Sequence, residues 1–178
     1  MRWVLMISLF VLLAFPHSTP TLSQSEPNFL IIRHTERVTY AQWSADSSRI
    51  LTTSEDGTIH MSDAQTGNIL WERRGDNPIA GASWGFDEMH IIAWDTNSEV
   101  LLIQAETGSV SDRYNSQIQH AIWKSDSTAV MTYNPNILNV IAVQDGQFGG
   151  GLFALETPDT ILFAQWNTDE TQILTFHE

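Results

Sequence analysis

The chain has 178 residues, a formal net charge of −13, 42% hydrophobic residues and no cysteine. This acidic excess argues against a protein that binds nucleic acid or an anionic membrane surface, because both partners call for a basic patch. The lack of cysteine excludes a disulfide framework, a lipoprotein attachment site and a thiol nucleophile.

The N-terminus is typical of an export signal. Met1–Trp3 carries one basic residue, and Val4–Phe15 is an apolar stretch of 12 residues. Signal peptides have apolar regions of this length, whereas about 20 residues are needed to span a bilayer. We therefore expect residues 1–23 to be a signal peptide that directs the chain to a secreted, periplasmic or cell-surface location. An uncleaved anchor is the alternative.

Four short β-patterned runs follow, and the residues between them favour turns. Ser44–Ser48 is rich in side chains that hydrogen-bond their own backbone, and Glu55–Gly57 supplies a hairpin turn. The predicted strands are Val38–Trp43, Arg49–Thr53, Thr58–Met61 and Asn68–Glu72. Four such strands bury their faces only by stacking on a neighbouring copy.

Copies of this unit fill the rest of the chain. Its marker is a tryptophan that recurs at steps of 41, 39 and 43 residues, as Trp43, Trp84, Trp123 and Trp166. An alanine lies two residues before each of them, and an aspartate three residues after. A period near 40 built from short strands is typical of the four-stranded blades of a β-propeller. We expect these tryptophans to form the core between blades rather than a sugar-stacking surface.

The predicted fold is therefore all-β, with about three and a half blades in residues 24–178. The units lie near 34–74, 75–114 and 115–155, with a partial unit at 156–178. Propellers close with about 4–8 blades, so we expect an incomplete ring with an open sheet edge. Three interpretations follow: a fragment of a longer propeller, a half-ring completed by a second chain, or a distorted four-bladed monomer.

The first unit resembles a WD40 repeat. The resemblance lies in His34, Val38, Trp43–Asp46 and the turn sequence Ser54–Gly57. In that family a His, a Ser, a turn Asp and the Trp of a closing dipeptide form a hydrogen-bond network within a blade. The resemblance implies this structural role for His34, Ser54 and Asp56. Met61–Asp63 stands where the closing Leu-Trp-Asp would be, so the network is expected to be incomplete.

A second resemblance overlaps the first. Asp63–Trp71 is similar to the docking motif of quinoprotein-type propellers, Asp-x-x-Thr-Gly-x-x-x-Trp. It implies an alternative function, a quinoprotein-like oxidoreductase that uses pyrroloquinoline quinone, or the relic of one. The sequence has no His-x-x-x-His metal spacing and no other catalytic motif. Our main prediction is therefore a protein without catalytic residues, cofactor or metal site. The glycine-rich segment Gly146–Gly151 is predicted to form a turn.

The predicted fold also indicates where a partner would bind. Loops between consecutive blades cluster on one face of a propeller, and rigid sheets that present variable loops bind partners in this way. The candidate loop residues are Glu36, Arg37, Asp76, Asn77, Asn115 and Asp159. The predicted partner is another protein or a second copy of this chain. Nucleic acid is not expected, and neither is a membrane span once the signal peptide is removed.

Overall fold

The computed structural model describes residues 30–178, so the predicted signal peptide lies outside the described part of the chain. Residues 30–178 form strands and turns without a helix. Among them there is accordingly no helix that is long and apolar enough to cross a membrane.

The strands form three four-stranded antiparallel sheets and one two-stranded sheet, each ordered as in the chain. Blade 1 contains β1 (Val38–Trp43), β2 (Arg49–Ser54), β3 (Thr58–Asp63) and β4 (Ile69–Arg74). Blade 2 contains β5 (Ile79–Trp84), β6 (His90–Asp95), β7 (Glu99–Gln104) and β8 (Val110–Asn115). Blade 3 contains β9 (His120–Trp123), β10 (Ala129–Tyr133), β11 (Ile137–Gln144) and β12 (Gln147–Glu156). Blade 4 contains β13 (Ile161–Trp166) and β14 (Ile173–His177). The predicted all-β fold and incomplete propeller are confirmed.

The glycine-rich segment differs from the prediction. Only Asp145 and Gly146 form the turn between β11 and β12, both with positive φ. Gly149–Gly151 lies inside β12, where the register with β11 is irregular. Glycine inside a strand often accompanies such bulges, which explains why a glycine-rich segment can belong to a strand.

The blades stack face to face, and the repeat determines which residues meet. We call the face that carries the repeat tryptophan the backward face of a blade, and the opposite face its forward face. At each junction, forward residues of one blade pack against backward residues of the next. The first junction joins Tyr40 and Leu51 to Ile79, Ala82, Trp84 and Ile91. The second joins Ile92 and Trp94 to Ile118, Ala121, Trp123 and Val130. The third joins Met131 and Tyr133 to Ile161, Ala164, Trp166 and Ile173.

Each forward face contains a residue pair between the first two strands of the blade, and the two residues of this pair differ from blade to blade. The pairs are Tyr40 with Thr53, Gly81 with Trp94, His120 with Tyr133, and Phe163 with Phe176. At Gly81 the fit is so close that an added Cβ would lie 2.4 Å from the Trp94 ring. In blade 3 the rings of His120 and Tyr133 stack at 4.9 Å. In blades 1 and 2 a small residue in one position makes room for a large ring in the other, whereas in blade 3 two rings share the space by stacking.

A second contact repeats in the turn after the first strand of each blade. The fourth residue after the repeat tryptophan has φ between 55° and 59° in every blade, as Ser47, Glu88, Ser127 and Glu170. In blades 2 to 4 its side chain accepts a hydrogen bond from a backbone N–H of the preceding blade. The donors are Ala45 to Glu88 (3.0 Å), Asp87 to Ser127 (3.0 Å) and Ser125 to Glu170 (2.6 Å). This turn thus links neighbouring blades.

The two ends of the arc leave this core incomplete. Trp84 and Trp123 are 6% and 2% exposed, but Trp43 is 54% exposed because no blade within residues 30–178 packs against the backward face of blade 1. Trp166 packs at the edge of the last junction and is partly buried. At the other end, Phe163, Leu174 and Phe176 are 46%, 59% and 63% exposed on the forward face of blade 4. Burial of the repeat tryptophan therefore requires a neighbouring blade.

Candidate functional site

His34 lies at the centre of a buried polar cluster in blade 1. Its Nδ1 is 2.8 Å from Thr58 Oγ1, and its Nε2 is 2.8 Å from Thr52 Oγ1. Asp56 accepts hydrogen bonds from the backbone N–H groups of Thr35 (2.8 Å) and Thr58 (2.9 Å). These bonds fasten the loop before β1 to the turn between β2 and β3. His34 and Asp56 are joined in this cluster through Thr58, to which both are hydrogen-bonded.

The hydrogen bonds orient the imidazole ring of His34. Thr58 Oγ1 donates its only proton to Asp56, so it accepts a proton from His34 Nδ1. His34 Nε2 faces the Thr52 hydroxyl, which can donate or accept. Burial together with the neighbouring His60 lowers the pKa of His34 below the ordinary 6.5, which favours the neutral imidazole.

A second histidine, His60, lies beside His34 in this cluster. The two imidazole rings stack with centroids 4.2 Å apart and an interplanar angle of 15°. His60 is 5% exposed, and its Nε2 lies 3.1 Å from Glu72 Oε2. Ser54 contributes differently from the implied role: its Oγ accepts from the backbone N–H of Asp56 instead of binding His34.

Blades 2 and 3 fasten the same loops with a residue that the sequence analysis did not single out. Asp95 accepts from the backbone N–H groups of Asn97 and Glu99 and from Asn77 Nδ2, each at 2.8–2.9 Å. Asn134 occupies the equivalent position in blade 3, and its Nδ2 donates to the Gln117 carbonyl at 2.7 Å. Both residues align with Ser54, two positions before the turn aspartate that drew attention in blade 1. A search for polar residues at the end of each second strand would have found them.

A groove of about 640 Å³ lies between blades 2 and 3 on the loop face. Ile118, Pro135 and Ile137 give it an apolar surface, and Gln117 and Gln119 add amide groups. Both glutamines are exposed, so their donors and acceptors are available to a ligand. Asp95 also lines the groove, but the three donors described above already occupy its carboxylate. The groove can therefore bind a largely uncharged, partly apolar segment.

None of the predicted loop residues lines this groove. Glu36, Asp76, Asn115 and Asp159 are exposed. Arg37 is exposed and forms an ion pair with Glu55, and Asn77 is engaged with Asp95. The groove is lined instead by residues at the ends of the loops, such as Gln117 and Gln119.

The segment that resembles a quinoprotein docking motif connects blades 1 and 2. Trp71 Nε1 donates a hydrogen bond to the Ala105 carbonyl at 2.9 Å. Its ring lies so close to Gly108 that an added Cβ would be 2.7 Å away. Asp63 accepts from Gln65 and Thr66 within its own turn. These contacts account for the motif through blade packing, so it does not favour a cofactor site.

Together, the blade topology, the junctions and the loop network define a WD40-like β-propeller arc. Neither a protein-family model nor a curated protein sequence matches the chain. Solved structures do. The C-terminal WD40 domain of Sif2 superposes with a TM-score of 0.71 at 16% identity, covering 82% of this chain and 44% of that one.

Two further structures agree. A chain in the mitotic checkpoint complex gives a TM-score of 0.68 at 14% identity, with 81% of this chain and 47% of that chain covered. The Cps50 (Swd1) β-propeller domain of Myceliophteria thermophila gives 0.65 at 15% identity, with 82% and 50% covered. The predicted likeness to WD40-like propellers is confirmed at the level of the fold. The chain spans about half the length of the structures that it matches.

Proposed function

We propose that this protein is an exported, non-enzymatic scaffold that binds another protein through the groove between blades 2 and 3. The WD40-like propeller fold supports an interaction scaffold in general terms. The observation that carries the proposal is the groove itself, which combines an apolar surface with exposed amide groups of Gln117 and Gln119 on a rigid frame.

The chemistry of the groove favours a particular class of ligand. Amide side chains both donate and accept, so they suit the backbone of an extended peptide segment. Ile118, Pro135 and Ile137 suit an apolar side chain of that segment. A strongly basic ligand has no free carboxylate to pair with here, because Asp95 is fully engaged with its three donors.

The support for export comes from the sequence of residues 1–23. A signal peptide would bring the mature chain to an oxidising compartment, where a protein without cysteine has no thiol to oxidise. Mass spectrometry of the protein recovered from a secreting host tests this part of the proposal. A mature N-terminus near residue 24 is expected, and an intact Met1 in the exported material would contradict it.

The binding proposal is tested with a random peptide library displayed on phage. We expect the protein to select peptides, and Gln117→Trp to abolish their binding by filling the groove. Gln147→Trp is the matched control, because Gln147 is an exposed glutamine at the start of β12 in blade 3 that does not line the groove. Equal binding by both variants would contradict the proposed location.

A further inference from the structure

The arc exposes one unmatched backward face and one unmatched forward face. Val38 and Trp43 on the backward face of blade 1 are 44% and 54% exposed. Phe163, Leu174 and Phe176 on the forward face of blade 4 are 46–63% exposed. These are large apolar side chains on two separate surfaces, and single monomeric proteins seldom expose contiguous patches of this kind.

Repeat equivalence shows what each surface fits. Trp43 occupies the same position as Trp84 and Trp123, which pack against the forward face of the preceding blade. Leu174 and Phe176 occupy the positions of Ile92 and Trp94, which receive Trp123. The surface that fits Trp43 is therefore present on the same chain, at the opposite end of the arc.

The hydrogen bonds between blades follow the same rule. Glu88, Ser127 and Glu170 each bond to the turn of the preceding blade, whereas Ser47 has no preceding blade in residues 30–178. Its φ of 59° already matches that of the linking residues. The turn of blade 1 therefore has the backbone conformation that the other blades use to bond to a preceding blade.

We propose that two copies of this chain join end to end, forward face of blade 4 to backward face of blade 1, at two equivalent junctions that close a ring. Each copy contributes three four-stranded blades and one two-stranded blade. The number of blades in the two copies together lies within the range of closed propellers, which have about 4–8 blades. The inference concerns the blade ends and does not depend on the loop groove.

Size-exclusion chromatography with light scattering of the purified chain tests this inference. The expected mass is twice that of the protomer, which is 20.0 kDa before any processing. Trp43→Asp and Phe176→Asp should each give monomers, because either change damages both junctions of the ring. Leu152→Asp is the control, since Leu152 is 65% exposed but lies on β12 of blade 3, a blade that forms neither junction. It should leave the dimer intact.

Mixing the two monomeric variants distinguishes a junction defect from misfolding. One intact junction remains between the forward face of the Trp43→Asp chain and the backward face of the Phe176→Asp chain. The mixture should therefore form heterodimers, which misfolded chains would not do. A monomeric wild-type protein, or a dimer that is sensitive to Trp43→Asp but not to Phe176→Asp, would overturn the inference. Open-ended polymers would overturn ring closure, because head-to-tail contacts that do not close generate filaments.

Discussion

Blade 2 and the two end blades are built from the same repeat but differ in what their faces contact. Both faces of blade 2 are covered, and Trp84, Ile92 and Trp94 are almost fully buried. In blade 1 the equivalent of Trp84 is more than half exposed, and in blade 4 so are the equivalents of Ile92 and Trp94. The same residue at the same repeat position thus contributes differently to stability, because hydrophobic stabilisation depends on the area removed from water.

The largest expected difference is between Trp84→Ala and Trp43→Ala. Removing the buried Trp84 ring should lower the free energy of unfolding by about 3–5 kcal/mol. Removing Trp43 should cost less than about 1 kcal/mol when both variants are compared in the Phe176→Asp background, which is expected to keep the chain monomeric. Urea denaturation measures both values. Similar losses for the two variants in the monomer would mean that the backward face of blade 1 is covered within one chain.

A difference in pH dependence is expected next. The pKa of His34 is lowered in the folded state, chiefly by burial and then by the neighbouring His60, while Asp56 and Glu72 oppose this shift. The unfolded chain therefore takes up a proton near pH 6.5 that the folded chain resists. Stability from this source is complete above pH 6.5 and is lost as the pH falls from that value through the lower pKa of the folded state.

Urea denaturation between pH 7.5 and 5 tests this prediction. His34→Gln should be less stable at neutral pH but should lose less stability on acidification than the unchanged chain. His120→Gln is the control, because it lies in β9 and leaves blade 1 unaltered. If His34→Gln retained the full pH dependence, the buried pair would not be its source. The exposed turn carboxylates act at lower pH: hydrogen bonds from Ser44 and Ser48 lower the pKa of Asp46 to about 2.

The smallest expected difference is between Ser47→Gly and Ser127→Gly. Both serines have positive φ, at 59° and 57°, where glycine avoids a steric cost of about 1 kcal/mol. Ser47→Gly should therefore be neutral or stabilising by up to about 1 kcal/mol. Ser127→Gly also removes the acceptor for the Asp87 N–H, which should offset the gain by about 0.5–1.5 kcal/mol. Thermal unfolding monitored by circular dichroism resolves this difference, and equal effects would mean that the link between blades 2 and 3 adds no stability.

Much of the fold could be predicted because its information is local and repeated. The tryptophan period, the turn residues and the apolar runs place the strands of blade 1, and repetition extends them along the chain. The exposure of Trp43 could not be predicted in the same way, since it depends on whether another blade packs against it, and none in the described part of the chain does.

The sites were harder to predict because they combine residues from distant strands. His34 and Asp56 followed from a family resemblance, but the stacking of His34 on His60 depends on how the loop before β1 folds back over the blade. Asp95 and Asn134 were not singled out, because they lie two residues before the position that the turn aspartate Asp56 occupies in blade 1. The groove depends on two blades at once, so Gln117 and Gln119 carry no local signal for it.

The paired positions on each forward face have a consequence for how such repeats diverge. Gly81 and Trp94 fit each other, and so do Tyr40 and Thr53, but Tyr40 opposite Trp94 would not fit the same space. Recombination between repeats would therefore succeed when the crossover lies outside the hairpin that joins the first two strands, and fail when it separates them. The hairpin formed by the first two strands of a blade is then the unit that is inherited intact. Its sequence can change as long as the two paired residues on its forward face change together.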